Sequence, residues 1–467
     1  MVTNKLLLIP VENQVRELDP KLLLACIAAR RGFSSVIGSR RQLDFRITSF
    51  PRGIYLSKSM TVRSIKMFKI LRKLGHEIVA WDEEALVHLP PEIYFSRRLS
   101  PKAMEYLSHL FAWGQDNAVL WRQYPELPPE VPIHITGNPR NDMLRPEMHG
   151  FFEDDVEKLR NTYGDFILIN TNFNHINAFY PVQSLFLPVN KPGEVPKFGR
   201  SARGMTREFA EGFRDHKQAI FKDFKRLIPD LEKVFPDYNI VVRPHPTEKH
   251  EVYHAIAARC QRVHVTNEGN VIPWLMAAKA LIHNGCTTGV EAFVMRVPAI
   301  SYRATVNDYY DYGFYELPNR LSHQCFDFDE LQTTLGRAVS GELGAADGNE
   351  MRSLIDHYLA ASSGPLACER IVDVLEKISA DRSHLPEPTL KTRVDGRLRA
   401  TTRRLIKQFM SYLPDSHNRL EFHRHRYPGI SLSEIRERVL RINEALGDND
   451  ITEVNQISSE IFQIGPK

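Results

Sequence analysis

The chain has few cysteines, no long apolar run and almost no net charge, and each shortage removes a class of protein. Five cysteines in 467 residues (Cys26, Cys260, Cys286, Cys325 and Cys368) are scattered, odd in number and free of any C-x-x-C pair. That usage fits reduced thiols in a cytoplasmic protein and argues against a disulfide frame or a zinc site. The first apolar run, Leu6 to Val11, is six residues long. It is too short for the h-region of a signal peptide, and no stretch approaches the ~18–20 apolar residues of a membrane span. Net charge is only +4, so no protein-wide basic field invites nucleic acid. No G-x-G-x-x-G follows the first strand-like segment, which speaks against a dinucleotide-dependent dehydrogenase. Internal repeats and low-complexity tracts are absent too.

What is present is alternation. With 42% hydrophobic and 25% charged residues, the chain is an ordinary globular one, too long for a single core. "KLLLIPVE", "SSVIGS", "GIYLS", "HEIVAWD", "LSHLFAWG" and "PIHITGN" read as strands. Helix-like stretches such as "KLLLACIAARRG", opened by Asp19-Pro20 as N-cap and first turn, and "TVRSIKMFKILRKLG" separate them. After the polar segment Arg145–Asp155 a second series begins with "DFILINTNF", "NIVVRPHP", "RVHVTNE", "LIHNG" and "PAISYRA". Strands alternating with helices mean βαβ units and parallel sheets, whose ligands lie outside the carboxyl ends of the strands. The expected fold class is α/β, with two Rossmann-like doubly wound domains at 1–148 and 160–378. A basic helical extension, 379–467, follows.

Two motifs in the second half carry chemistry. A buried strand runs into Arg243-Pro244-His245-Pro246. The prolines fix backbone angles, so the turn is stiff and the imidazole is aimed. An aimed imidazole can donate to a phosphate oxygen and stabilise a departing phosphate, and Arg243 can add charge. The plainer reading is a turn whose His and Arg pair with Glu248 or Asp237. The second motif is Gly285-Cys286-Thr287-Thr288-Gly289 before a helix, a small-residue turn offering hydroxyls and N–H groups to an anion. Glu291, one turn in, is placed to bind both hydroxyls of a ribose; alternatively Thr288 and Glu291 form a capping box.

R-P-H-P followed by "HNGCTTGVEAF" resembles the nucleotide-binding half of GT-B glycosyltransferases that build bacterial surface polysaccharides. "PVENQVRELDPKLLLA", "HITGNPRND", "ILINTNF", "VVRPHPTE" and the late "HRYPGISLSEI" extend the resemblance over nearly the whole chain, to the surface carbohydrate biosynthesis proteins. It implies that His245, Thr287 and Thr288 hold the nucleotide phosphate, as in CMP-sialic acid and CMP-Kdo transferases and CDP-glycerol polymerases. It also implies a nucleotide-sugar donor, a CMP-linked ulosonic acid by preference, and a glycan or glycolipid acceptor. Cofactor and metal are not called for, because basic side chains and helix dipoles do that work in GT-B enzymes. The chain departs from the capsular Kdo transferases in one respect. Their early acidic segment is replaced here by the amides of "NTNFNHINAF". Three other readings stay open: a UDP-N-acetylglucosamine 2-epimerase-like enzyme, a CDP-glycerol-type phosphotransferase, and an inactive scaffold of polysaccharide assembly.

The first domain is expected to serve the acceptor. Glu12 at the end of its first strand is the candidate base, with Arg16 and Glu17 beside it as substrate contacts. The alternative is a Glu12–Arg16 ion pair holding the loop. Asn138 and Arg140 of "TGNPRND", and Asn170, Asn172 and Asn174 ending the second domain's first strand, are further substrate-binding candidates, although Asn is also common in plain turns. The D-x-D of Asp448-Asn449-Asp450 follows Gly447 and reads as a solvated turn. The arginine-rich stretch beyond residue 380 either rests on anionic lipid at the inner face of the cytoplasmic membrane or packs back on the first domain.

Overall fold

The computed structural model describes residues 5–189, 191, 193–311, 315–381, 387–413, 416, 418–447 and 452–467. The D-x-D turn lies outside them. The chain divides into two compact units. The first comprises Met1–Leu86, Arg98–Phe151 and Asp356–Lys467, the second Val87–Arg97 and Phe152–Ile355.

The first unit is built on an eight-stranded sheet. Its parallel part holds β1 (Lys5–Val11), β2 (Phe33–Ser39), β3 (Ile54–Ser57), β4 (Glu77–Ala80), β5 (His109–Ala112) and β6 (Ile133–Ile135), in the order β2-β1-β3-β4-β5-β6. Leu6 through Val11 are buried without alternation, as a strand covered on both faces must be. The first helix, Gln14–Arg30, starts earlier than the Asp19-Pro20 pair suggests. Asn13 is its N-cap, accepting from the Arg16 N–H, and the helix runs on through Pro20. Asp19 is no cap; it pairs with Arg438.

The residues after 355 complete this unit. Helix Ala367–Ala380, expected in the second domain, packs on Gln14–Arg30, and both oxygens of Asp142 accept its first N–H groups, from Ala367 and Cys368, at 2.8 Å. Gly114 makes room for the returning chain: a Cβ there would meet the Tyr358 carbonyl oxygen at 2.3 Å. Helix Leu432–Ala445 opens on a Ser431–Glu434 capping box and also packs on Gln14–Arg30. The extension is not wholly helical. Strands β13 (Thr452–Ser458) and β14 (Ile461–Pro466) form an antiparallel hairpin that pairs with β2 and covers that edge of the sheet.

The second unit carries a six-stranded, all-parallel sheet. Its strands are β7 (Phe166–Asn170), β8 (Asn239–Arg243), β9 (Val263–Val265), β10 (Ala280–His283), β11 (Ala299–Tyr302) and β12 (His323–Cys325), in the order β9-β8-β7-β10-β11-β12. Counted from β7 this is 3-2-1-4-5-6, the Rossmann order, and it reverses between β7 and β10. Helix Arg207–Val234 buries Phe213, Ile220, Phe224, Leu227 and Leu231 along one stripe; of these, Ile220 onward pack against the β7 and β8 side chains of the core. Two doubly wound α/β units are therefore the architecture, as the alternation of elements implies.

Candidate functional site

In a doubly wound sheet the crevice for a ligand opens where the strand order reverses. In the second unit that point is flanked by the ends of β7 and β10, which carry "NTNF" and "NGCTT". The two ends are tied together: the Asn172 N–H donates to Asn284 Oδ1 at 2.9 Å, and Asn284 Nδ2 donates to the Asn172 carbonyl at 3.4 Å. The Oδ1 atoms of Asn170 and Asn174 are enclosed and accept no hydrogen bond among the described residues. Polar atoms left in that state at a strand end suit a ligand's hydroxyls or amides.

His245 follows β8, the strand beside β7. Its Nδ1 receives the Thr247 N–H at 3.2 Å and lies 2.8 Å from the Thr247 hydroxyl. The backbone N–H can only donate, so Nδ1 carries the lone pair and the proton of the neutral ring sits on Nε2. Glu248 fixes this turn without touching the imidazole. Buried, it accepts from the N–H groups of His245 (3.2 Å) and Phe173 (2.9 Å) and from the hydroxyls of Thr171 (3.0 Å) and Tyr253 (2.6 Å). Burial pushes its carboxyl above the ordinary range, against the pull of those donors. One carboxylate thus joins the loops after β7 and β8. Replacing it, Glu248→Ala, leaves several buried donors without an acceptor, and we expect a loss of about 3–5 kcal/mol in chemical denaturation.

Arg243 does something other than the phosphate contact expected of it. Its guanidinium donates to the carbonyls of Glu268 (2.7 Å) and Gly269 (3.2 Å) and lies over the Trp274 ring at 4.5 Å. It clamps the chain after β9, and desolvation lowers its pKa to about 10. His283 is likewise a framework residue. Fully buried and held neutral by desolvation, it accepts the Gly285 N–H at 3.0 Å and contacts Ser322 at 2.8 Å. Gly285 has φ +79°, and a Cβ there would meet the Tyr315 ring at 2.8 Å, so only glycine fits this turn.

The helix after the turn, Thr288–Val294, is seven residues long and its dipole is correspondingly small. Thr287 is the N-cap and makes no side-chain cap bond, so the Thr288–Glu291 capping box does not form. The N–H groups of Gly289, Val290 and Glu291 are already used by Cys286 and Thr287 carbonyls. Thr288 contacts the Cys286 thiol, and Glu291 is buried in the first turn. Thr287 and Thr288 therefore have hydroxyls, more than a dipole, to offer an anion.

The strongest charge at this crevice escaped the motif reading. Lys217, on helix Arg207–Val234, is 1% exposed, and among the described residues no oxygen accepts a hydrogen bond from its ammonium. Its neighbours are the faces of Tyr315 (4.0 Å) and Phe173 (5.4 Å). Desolvation lowers its pKa to about 8 despite attraction from Asp311, Glu248 and Cys286. His175, two residues past Phe173, is driven neutral by burial and by the charges of Lys217, Arg97 and His245. Lysine, two histidines and Arg97 of the same unit thus crowd around the ends of β7, β8 and β10. Asp311, which acts on Lys217 more strongly than Glu248 does, is engaged by His216 (2.8 Å) and Arg303 (2.9 Å). With His175 neutral, the positive charge there comes from Lys217 and Arg97, and it fits a phosphate. A sequence signal existed: Lys217 stands in the apolar stripe between Phe213 and Ile220, where an unpaired cation is out of place.

In the first unit the strand order reverses between β1 and β3, and charges fill that point. Glu12 pairs with Arg40 (2.9 Å), Lys58 (3.3 Å) and Arg426, but not with Arg16. Arg16 pairs with Glu84 at 2.9 Å and donates to the Glu83 carbonyl. Glu17 is buried and bound by Lys21, Lys58 and the Glu12 N–H. Burial would raise the Glu12 pKa, yet Lys58, Arg40 and Arg426 outweigh it and hold the group at about 2. A carboxylate that reluctant to take a proton is a weak general base. Asn138 is the N-cap of the turn Pro139–Asp142, its side chain accepting the Arg140 N–H at 3.0 Å. Arg140 stacks on Trp113 at 5.5 Å.

No family model and no curated protein matches the chain. Among solved structures, a variant of the wall teichoic acid polymerase TagF shares 11% identity, covering 82% of this chain and 90% of that one, with a TM-score of 0.49. The UDP-GlcNAc 2-epimerase of Neisseria meningitidis, bound to UDP-GlcNAc, shares 12% identity over 80% of this chain and 100% of its own, with a TM-score of 0.45. That of Methanocaldococcus jannaschii shares 13% over 80% and 99%, with a TM-score of 0.45. Each is a distant likeness.

Proposed function

We propose that the protein is a metal-independent glycosyltransferase of bacterial surface polysaccharide biosynthesis, of O-antigen or capsule. It transfers a sugar from a nucleotide-activated donor, by its sequence resemblance a CMP-linked ulosonic acid, to a glycan or glycolipid acceptor. The observation that carries this reading is the cationic crevice where the second unit's strand order reverses, with Lys217 buried and His245 held by Thr247 and Glu248.

In this reading the Lys217 ammonium and the Thr287 and Thr288 hydroxyls bind the nucleotide phosphate. His245 donates its Nε2 proton to a phosphate oxygen as the bond to the sugar breaks, and the departing negative charge is stabilised without a metal. Glu291 holds the ribose hydroxyls, and Asn170, Asn172 and Asn174 meet the sugar. The first unit receives the acceptor. Glu12 and Glu17 there keep Lys58 and Arg40 in place, and no proton transfer is assigned to them.

The test is product analysis with CMP-linked and UDP-linked sugars, with and without glycan acceptors. Acceptor-dependent release of CMP supports the proposal. Interconversion of a UDP-sugar without acceptor assigns the crevice to an epimerase, and transfer of a phosphate with its alcohol assigns it to a phosphotransferase. Absence of turnover with every donor contradicts an enzymatic role.

A further inference from the structure

The helix Leu390–Met410 has two opposite faces of unusual character. One packs on helix Ile65–Leu74: Gly396 and Ala400 are buried there, a Cβ on Gly396 would meet Lys73 at 3.0 Å, and Asp395 pairs with Lys73 at 2.6 Å. Arg403 on the same side reaches Asp44 at 3.1 Å. The other face is apolar and points to solvent. Leu390, Val394, Leu398, Leu405 and Phe409, followed by Tyr412 just past the helix end, are 56–87% exposed. At 3.6 residues per turn they fall within an arc of about 100° along a helix of roughly 31 Å. Single exposed apolar side chains are ordinary, whereas six of them aligned along one helix mark a contact surface.

Charge identifies what the stripe meets. The helix carries seven Lys and Arg residues (Lys391, Arg393, Arg397, Arg399, Arg403, Arg404 and Lys407) and a single acid, Asp395, already paired with Lys73 and Arg399. Arg393, Arg397 and Arg404 are exposed between the packed face and the apolar stripe. A second copy would bring the same basic helix and repel it. An anionic lipid leaflet offers acyl chains to the stripe and headgroup charge to its arginine border.

We propose that Leu390–Met410 is an interfacial helix that lays its outer face into an anionic membrane surface. The proposal stands independently of the nucleotide reading.

Flotation of the full chain with vesicles of phosphatidylcholine, alone or mixed with phosphatidylglycerol, tests it. The protein is expected to float with the mixed vesicles and not with the neutral ones, and to be released by salt. The combined variant Leu398→Ser, Leu405→Ser and Phe409→Ser removes exposed side chains only. It should keep the unfolding temperature and nucleotide response of the wild type while vesicle binding falls about tenfold or more. Arg397→Gln with Arg404→Gln should weaken binding and flatten its salt dependence. Wild-type protein that stays unbound, or serine variants that float unchanged, overturns the proposal. So does a concentration-dependent dimer dissolved by the serine variants, which would give the stripe to a second copy.

Discussion

Lys217→Met is expected to make the ligand-free protein more stable and at the same time a weaker binder of nucleotide. The two effects come from one feature, an ammonium 1% exposed that lies over two aromatic faces and has no oxygen accepting from it among the described residues. Its pKa is about 8 in the folded protein against 10.5 for an ordinary lysine, so the folded state carries a cost of roughly 3 kcal/mol at neutral pH. Methionine fills the same space without charge, and replacing a poorly compensated buried ion by an apolar side chain commonly stabilises. The sign of the pH dependence follows. Between about 8 and 10.5 the unfolded chain binds more protons, so wild-type stability rises with pH across that window and the advantage of Lys217→Met shrinks. Below it the advantage is largest. Nucleotide affinity runs the other way: in the wild type it falls as pH rises through about 8 and the ammonium is lost. The variant, short of one charge-assisted bond of about 1.5–3 kcal/mol, binds about 10–100-fold more weakly with no such dependence. Scanning calorimetry across pH, with and without nucleotide, reads both. A variant that is destabilised and still responds to nucleotide would show Lys217 to be a packing residue.

His245→Ala should lower turnover by about 10²–10⁴-fold while leaving the fold intact, because the side chain is only half-buried and the Glu248 contact is to its backbone. The choice of replacement separates a proton donor from a spacer. In His245→Gln an amide nitrogen can stand near the position of Nε2, so part of the rate should return. In His245→Asn the amide is too short and should reproduce the alanine result. Equal activity in all three would remove His245 from the chemistry. The comparison needs kcat and KM separately: loss of a bond made only as the phosphate departs lowers kcat, and loss of uniform binding raises KM.

Much of the fold is written in short runs that physics allows to be read locally. "LLLIPV" can only be a strand buried on both faces, and each of its counterparts up to "PAISYRA" forms where the alternation puts it. The elements that escaped are those with weak local signals. β12 is three residues, two of them polar, and exists because β11 offers it an edge. β13 and β14 follow a Gly-Asp-Asn-Asp segment that reads as the end of a helix, and the pairing that makes them strands is with β2, some four hundred residues away. The start of the first helix was masked by Asp19-Pro20, a good opening pair overruled by Asn13. The return of the chain after residue 355 depends on Asp142 and Gly114, which no local pattern announces.

The site divides in the same way. His245, Gly285 and the amides of "NTNF" lie where the motifs place them, since strand ends are legible. What their side chains do depends on partners distant in sequence. Arg243 is turned to the Glu268 and Gly269 carbonyls, and Glu12 is surrounded by three cations, one of them from the far C-terminal segment. Lys217 and Glu248 gained their importance from burial, which one-dimensional spacing reports only as an oddity.

The central claim is that the crevice between β7 and β10 binds the phosphate of a nucleotide, and calorimetric titration of the purified protein with CMP, CDP, UDP, GDP and ADP addresses it most directly. Saturable binding is expected with CMP preferred, weakened in Lys217→Met and in His245→Ala, and weakened in the wild type above the pH at which Lys217 gives up its proton. Silence toward every nucleotide, or binding that neither substitution alters, would contradict it.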